Sequence, residues 1–482
     1  MKKYLVKSYL IVFLVITVAC LASSCKKKSE APDTPPVVIK PEVDPPVNPP
    51  SFVTNAKNLN IVMFVPNDNP ALADYKTRLT TLMIHFQKWF HTEMLRYGYD
   101  KYMGLPIDGS TKLVKFIEIK GQQGQADYPY SSSVSAGKIL AEIAAYKTTH
   151  PSEFSSANHT LILLPNRTDG GDQPFYGYGK NCFAVDNANM AVNKIPNTTS
   201  NLLGGMLHEL GHGLNLPHDH AKYYTEEPTL GTSLMGSGNV TFSKGQKTFL
   251  TEVDAAILNN NEIFQNPVPA EAFYESATTS IDPKVNFNPI TQAFDITGSF
   301  TSDKTVSDIL IYLDPNVNDE GYSSGVGNVN YNAVAWRFNP GAGSTINASA
   351  PIKELNYKTD EPYELFVKLL LKNGSTISKS YQFNFKAGVP QIGVNGSAKF
   401  YQNASYAGYQ VELPVGEYTT AAMVAKGIKD KDISSVVVGL GVKVILYSGD
   451  NFTGTSFELT SSSSYVSAFN DKTSSIKIMP LN

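Results

Sequence analysis

Cysteine is scarce, with Cys20, Cys25 and Cys182 the only three in 482 residues. That excludes a disulfide framework, so the folded parts must rest on apolar cores or on metals. An excess of one charge is also missing. Lys and Arg number 40 against 43 Asp and Glu, spread along the chain, for a net charge of −3. Such a balance offers no electrostatic footprint for nucleic acid or another polyanion. The apolar run from Tyr9 to Leu21 falls short of the roughly 20 residues that a membrane helix requires. Histidine is sparse, at eight in the whole chain. Four of the eight nevertheless fall between Leu207 and His220, in L-H-E-L-G-H-G-L-N-L-P-H-D-H. Aromatics are plentiful, with 26 Tyr and 24 Phe. Together with Thr and Val they lean the composition towards β structure, and the length implies several domains.

The first 25 residues belong to targeting rather than to the fold. Lys2, Lys3 and Lys7 precede the apolar run, and Leu21-Ala22-Ser23-Ser24-Cys25 closes it. The arrangement resembles a bacterial lipoprotein signal, which implies lipidation at Cys25 after cleavage; an ordinary secretory signal is the alternative. Residues 26–54 are rich in proline and form an extended, semi-rigid tether. The expected location is therefore outside the cytoplasm, lipid-anchored to a bacterial membrane (outer membrane or cell surface). With Cys25 acylated, Cys182 is the remaining thiol, either a buried core residue or a cap on a metal.

Residues 55–265 read as an α/β domain. Leu59 to Val65 is a buried strand ended by Pro66, and Ala71 to Tyr97 a long helix capped at Gly98. Lys112 to Ile119 and Thr160 to Leu164 are further strands flanking a helix from Val134 to Thr148. Strands alternating with helices predict a mixed, mostly parallel sheet covered by helices. Gly179 to Val185 adds an edge strand. A further helix begins near Asn197 to Ser200, and Leu202, Met206, Leu210 and Leu214 form its core stripe. Gly204, Gly205, Gly211 and Gly213 in that helix predict either close backbone packing or a helix held by its metal.

The chemistry sits on this helix. His208 and His212 stand four apart, so one helical face presents both imidazoles to a common point, with Glu209 beside them. Pro217 cannot continue the helix, and Asn215 best tolerates a left-handed turn. The chain thus reverses and returns His218 to the same point. Eight histidines in 482 residues make one at a prescribed position about a one-in-60 event, so the spacing H-E-x-x-H-x-x-x-x-x-H is not casual. Three neutral imidazoles with an open position form a catalytic zinc pattern. Glu209 is placed to take a proton from the attacking water and deliver it to the departing amine.

The segment Leu207 to Met235 resembles a metzincin metallopeptidase. The pattern H-E-x-x-H-x-x-G-x-x-H maps onto His208, Glu209, His212 and His218, with Asn215 at the glycine position. Asp219 after the third histidine is similar to the reprolysin (adamalysin) branch and implies a supporting structural role. Ser233-Leu234-Met235-Gly236 stands where that family has its Met-turn, which implies Met235 as the floor beneath the three rings. The resemblance also implies a C-terminal helix, read from Lys244 to Leu258 behind a Ser243–Gln246 capping box. An extended substrate would pair with the edge strand at Gly179 to Val185. His220 is read as a surface or supporting residue rather than a fourth ligand.

Residues 266–390 consist of short strand-like runs between Gly, Pro, Asn and Asp. They read as an immunoglobulin-like β-sandwich with a hairpin at Lys372-Asn373-Gly374-Ser375. Residues 394–482 contain a duplication: Tyr401 and Gly408 recur as Tyr447 and Gly454, and each half ends in a serine pair. This resembles a βγ-crystallin double Greek key. The resemblance implies calcium ligands at Asp471, Ser434 and Ser474, although Lys431 replaces an oxygen donor in the first half. A calcium-free structural module is the alternative.

The expectation is a monomeric, lipid-anchored zinc endopeptidase acting on protein or peptide substrates, either broadly or on one partner such as a glycoprotein or a cell-wall-linked peptide. The rival is a catalytically inactive surface-binding lipoprotein that works through its β domains. Cys25→Ser is expected to move the protein from the membrane fraction to the soluble fraction after cell lysis. Retention of the variant in the membrane fraction would contradict a lipid anchor at Cys25.

Overall fold

The computed structural model describes residues 51–166, 175–315, 331–356, 358, 363–386, 388–392, 397–439, 442–460 and 462–480. The segments read above as a signal (1–25, with Cys25) and, up to residue 50, as a tether lie outside the described residues. Among the described residues, no helix is long and apolar enough to cross a membrane.

A five-stranded sheet carries the first part of the chain, in the order β2-β1-β3-β5-β4. Its strands are β1 (Asn60–Val65), β2 (Ile117–Lys120), β3 (Thr160–Leu164), β4 (Phe175–Tyr178) and β5 (Asn181–Val185). The first three and β5 run parallel, and β4 turns back antiparallel on β5. A parallel sheet needs both faces covered, and β1 shows how that is met. Ile61, Met63 and Val65 enter one core with helix α1 (Tyr75–Leu95), whereas Val62 and Phe64 enter another with helix α2 (Gly137–Thr149). The apolar face of α1, at Leu79, Met83, Phe86, Phe90 and Met94, follows the helical repeat.

Helix α3 (Leu202–Gly213) packs under the sheet through Leu203, Met206, Leu207 and Leu210. Its glycines permit close approach. A β-carbon on Gly205 would lie 2.0 Å from the Phe175 ring, and one on Gly211 would lie 2.5 Å from the Met235 sulfur. The last carbonyls of a helix need outside donors. His159, just before β3, supplies one through Nδ1 to the Gly213 oxygen at 2.6 Å, and Asn261 donates to the Leu214 oxygen at 2.9 Å. These two side chains fix where the helix stops.

Two expectations are corrected. Gly179–Val185 is not the edge strand: Gly179 adopts φ of +60° in a hairpin turn, β5 lies inside the sheet, and β4 forms its edge. The capping box at Ser243 is also wrong. Ser243 ends a short helix, Gly238–Ser243, and Gly245 at φ of +64° turns the chain. The helix that follows is Glu252–Asn259, with Thr251 and Asp254 as its capping box.

Two further β domains follow. In the first, a five-stranded sheet of Val334–Phe338, Val306–Pro315, Tyr363–Leu371, Thr376–Lys386 and Val389–Ile392 faces a three-stranded sheet of Thr345–Pro351, Ala293–Ser302 and Thr279–Asn288. The strand Val306–Pro315 serves two cores. Ile309, Ile311 and Leu313 point into the sandwich, while Leu310 and Tyr312 join the core of α1 and α3. The last domain pairs a three-stranded sheet with a four-stranded one around Phe400, Leu413, Val436, Val444 and Ile476.

Burial holds the His159 imidazole well below its ordinary value of 6.5. The folded ring therefore stays neutral while the unfolded one takes up a proton, and stability falls as pH drops below about 6.5. Relative to His159→Gln, the wild type should lose about 1 kcal/mol more between pH 7 and pH 5.5, measured by urea unfolding. Parallel pH profiles for the two proteins would contradict this role.

Candidate metal centre

His208, Glu209 and His212 sit in the second half of α3. After Leu214 the chain turns at Asn215, whose φ of +73° is the left-handed geometry that asparagine tolerates best after glycine. The Leu216 amide folds back to the Gly211 carbonyl at 3.0 Å, and His218 returns to the helix. The three Nε2 atoms then stand 3.1 Å (His208–His212), 2.9 Å (His212–His218) and 3.3 Å (His208–His218) apart.

Backbone carbonyls set the ring orientations. His208 Nδ1 donates to the Leu234 oxygen at 2.7 Å, and His212 Nδ1 donates to the Leu216 oxygen at 2.8 Å. A carbonyl only accepts, so the proton of each ring sits on Nδ1 and the Nε2 lone pair faces the common point. Burial together with the His212 ring pushes His208 down to about 3, and burial lowers His212 as well. Three imidazoles sharing one focus form a donor set that could hold a metal ion. Among the described residues, His208, His212 and His218 are the one such cluster.

Burial pushes Glu209 up to about 7, opposed by a hydrogen bond from the Gly177 amide. Gly177 lies on β4, where a β-carbon would stand 3.0 Å from that of His212. The sheet edge thus closes over the base, and a side chain there would press on His212 and Glu209. Met235 is fully buried, with its sulfur packed against Gly211 of α3. Asp219 is fully buried and joins three segments: it accepts from Ser233 Oγ and Thr251 Oγ1, both at 2.5 Å. Ser233 precedes Met235, and Thr251 caps the helix Glu252–Asn259.

The remaining candidates are placed apart. His220 is outside the cluster, with Nδ1 2.8 Å from the Ala221 carbonyl. Cys182 is wholly buried on β5, next to Gly213. Ser434 Oγ and Asp471 Oδ1 meet at 3.4 Å across the two halves of the last domain. Ser474 does not join that pair among the described residues; its amide binds the Tyr447 carbonyl and its carbonyl accepts from Thr420. Sequence reasoning missed Gly177, His159 and Tyr331. The Tyr331 ring lies 3.9 Å from that of His218, centre to centre. Gly177 had a weak signal in Phe175-Tyr176-Gly177-Tyr178, a glycine inside a strand pattern; the other two had none.

No protein-family model matches the chain. The crystal structure of wild-type OgpA from Akkermansia muciniphila is 30% identical, with a TM-score of 0.62 over 74% of this chain and 99% of OgpA. The chain belongs to the OgpA family. A catalytically inactive OgpA in complex with an O-glycopeptide substrate matches equally, with a TM-score of 0.63 at 30% identity over 74% of this chain and 99% of that one. Separately, Development-specific protein S of Myxococcus xanthus is 40% identical over 79 residues, which are 16% of this chain and 46% of that protein. The chain thus spans about half the length of that curated relative. The OgpA family likeness covers most of the chain, whereas the likeness to protein S is confined to a segment of domain size.

Asp219→Ala would orphan two buried hydroxyls and uncouple the Met235 turn from the helix cap. A loss of about 2–3 kcal/mol is expected in denaturant unfolding. A change below about 0.5 kcal/mol, the range of neutral surface substitutions, would contradict the bridging role.

Proposed function

We propose that the chain is an exported zinc-dependent endopeptidase of metzincin type that cleaves O-glycosylated peptides. The convergence of three Nε2 atoms within 3.3 Å beside the Glu209 carboxylate carries this reading. Zinc, when bound by His208, His212 and His218, supplies a water of lowered pKa and a Lewis acid for the scissile carbonyl.

The chain's own residues do the rest. Burial raises the basicity of Glu209, which suits it to take the proton of the attacking water and hand it to the leaving amine. The Gly177 amide holds that carboxylate in place. An extended substrate adds as a strand along the outer edge of β4, where Tyr176 and Tyr178 share one face of the sheet and Phe175 and Gly177 the other. The O-glycopeptide seen with inactive OgpA supports the same substrate class here. The last domain is proposed as a βγ-crystallin-like module that takes calcium near Asp471 and Ser434. Together with a lipid anchor at Cys25, it would serve placement rather than chemistry.

Glu209→Gln should keep zinc and the fold while losing at least about 100-fold in cleavage rate. Cleavage of an O-glycopeptide is expected with the wild type, is abolished by a zinc chelator, and drops sharply once the glycan is removed. Full activity of Glu209→Gln would overturn the mechanism. Equal cleavage of the bare peptide would overturn the substrate class.

A further inference from the structure

The β-sandwich reaches into the metal centre. Its strand Val334–Phe338 is preceded by Tyr331, whose ring centre lies 3.9 Å from that of His218 at 34° between planes. The same ring lies 6.2 Å from His208 at 25°. Tyr331 therefore covers the flank of the site formed by those two ligands.

Its emplacement is built. The His220 amide donates to the Ala333 carbonyl at 2.6 Å, and His220 pairs with Val334 in a parallel bridge. The segment leaving His218 is thus joined to the strand that follows Tyr331. Ala333 and Ala335 are buried in the core of α1 and α3. Arg337, two residues further on, reaches Asp308 on the neighbouring strand and Glu252 on the helix capped by Thr251. A ring held at this distance by its own backbone limits how far the His218 imidazole can tilt.

We propose that Tyr331 is a positioning residue of the metal centre, its aromatic face bracing His218 so that the sandwich completes the site. The physical reason is twofold. An imidazole that ligates a cation becomes electron-poor, and the negative face of an aromatic ring favours such a neighbour. The ring also keeps water from that flank, which strengthens the electrostatics within it. The brace comes from the face of the ring, so phenylalanine serves in its place while a saturated side chain of similar bulk does not.

The proposal rests on reading the three histidines as a zinc site, and its test does not require turnover. Zinc affinity of the full chain is measured by competition with a chromophoric chelator for wild type, Tyr331→Phe, Tyr331→Leu and Tyr331→Ala. Thermal melting of the zinc-free proteins reports on folding. Tyr331→Phe should match the wild type, while Tyr331→Leu and Tyr331→Ala should bind zinc about tenfold more weakly with zinc-free melting unchanged. Leucine fills the volume, so a cavity made by alanine does not confuse the result. Wild-type affinity in Tyr331→Leu would overturn the aromatic brace, as would a tenfold loss in Tyr331→Phe. Failure to cleave any peptide would instead overturn the proposed function and leave these affinities standing.

Discussion

Three imidazole nitrogens crowd into one place, at least two of them with lone pairs aimed there, and the molecule is built to hold them together. Two of the rings are aimed by carbonyls, from Leu234 for His208 and from Leu216 for His212. The position of those carbonyls is the constraint on everything around them. Leu216 is set by the left-handed turn at Asn215, which in turn depends on where α3 stops. His159 and Asn261 set that stop by taking up the final carbonyls of the helix. Leu234 belongs to the turn that runs to Met235, anchored by Ser233 on Asp219. The centre therefore draws on segments spread from residue 159 to residue 261.

The sandwich continues the same logic. A strand with both faces buried is unusual outside parallel sheets, yet Val306–Pro315 has one face in its own core and the other against the first domain. Such an interface, with ion pairs from Arg337 at its rim, leaves little freedom for the sandwich to act as a loose spacer. Its contact with His218 through Tyr331 follows from that rigidity.

The local part of the site was legible because its geometry is written in short spacings. An i, i+4 pair, a helix-stopping proline and a turn-tolerant asparagine place three histidines and Glu209 without knowledge of the fold. The sheet was legible in its alternation of strands and helices, but its edge was not. Gly179 looks like a strand residue in sequence, and only its φ of +60° shows that it makes a hairpin. The Ser243 capping box failed for a similar reason, since Gly245 turns the chain before a helix can start. The run Ile309-Leu310-Ile311-Tyr312-Leu313, apolar at every position, carried a signal of double burial that an alternating-strand reading passes over. His159 and Tyr331 left no trace, because each acts on residues more than 50 positions away and no spacing rule reaches that far.

The central proposal is that His208, His212 and His218 form a zinc centre with an open position. Anomalous diffraction from zinc-loaded crystals, collected on both sides of the zinc absorption edge, tests it directly. The account predicts one strong peak about 2.0–2.1 Å from Nε2 of His208, His212 and His218, with no fourth protein ligand. A peak elsewhere in the molecule, or one that includes His220 or Cys182 among its ligands, would contradict it.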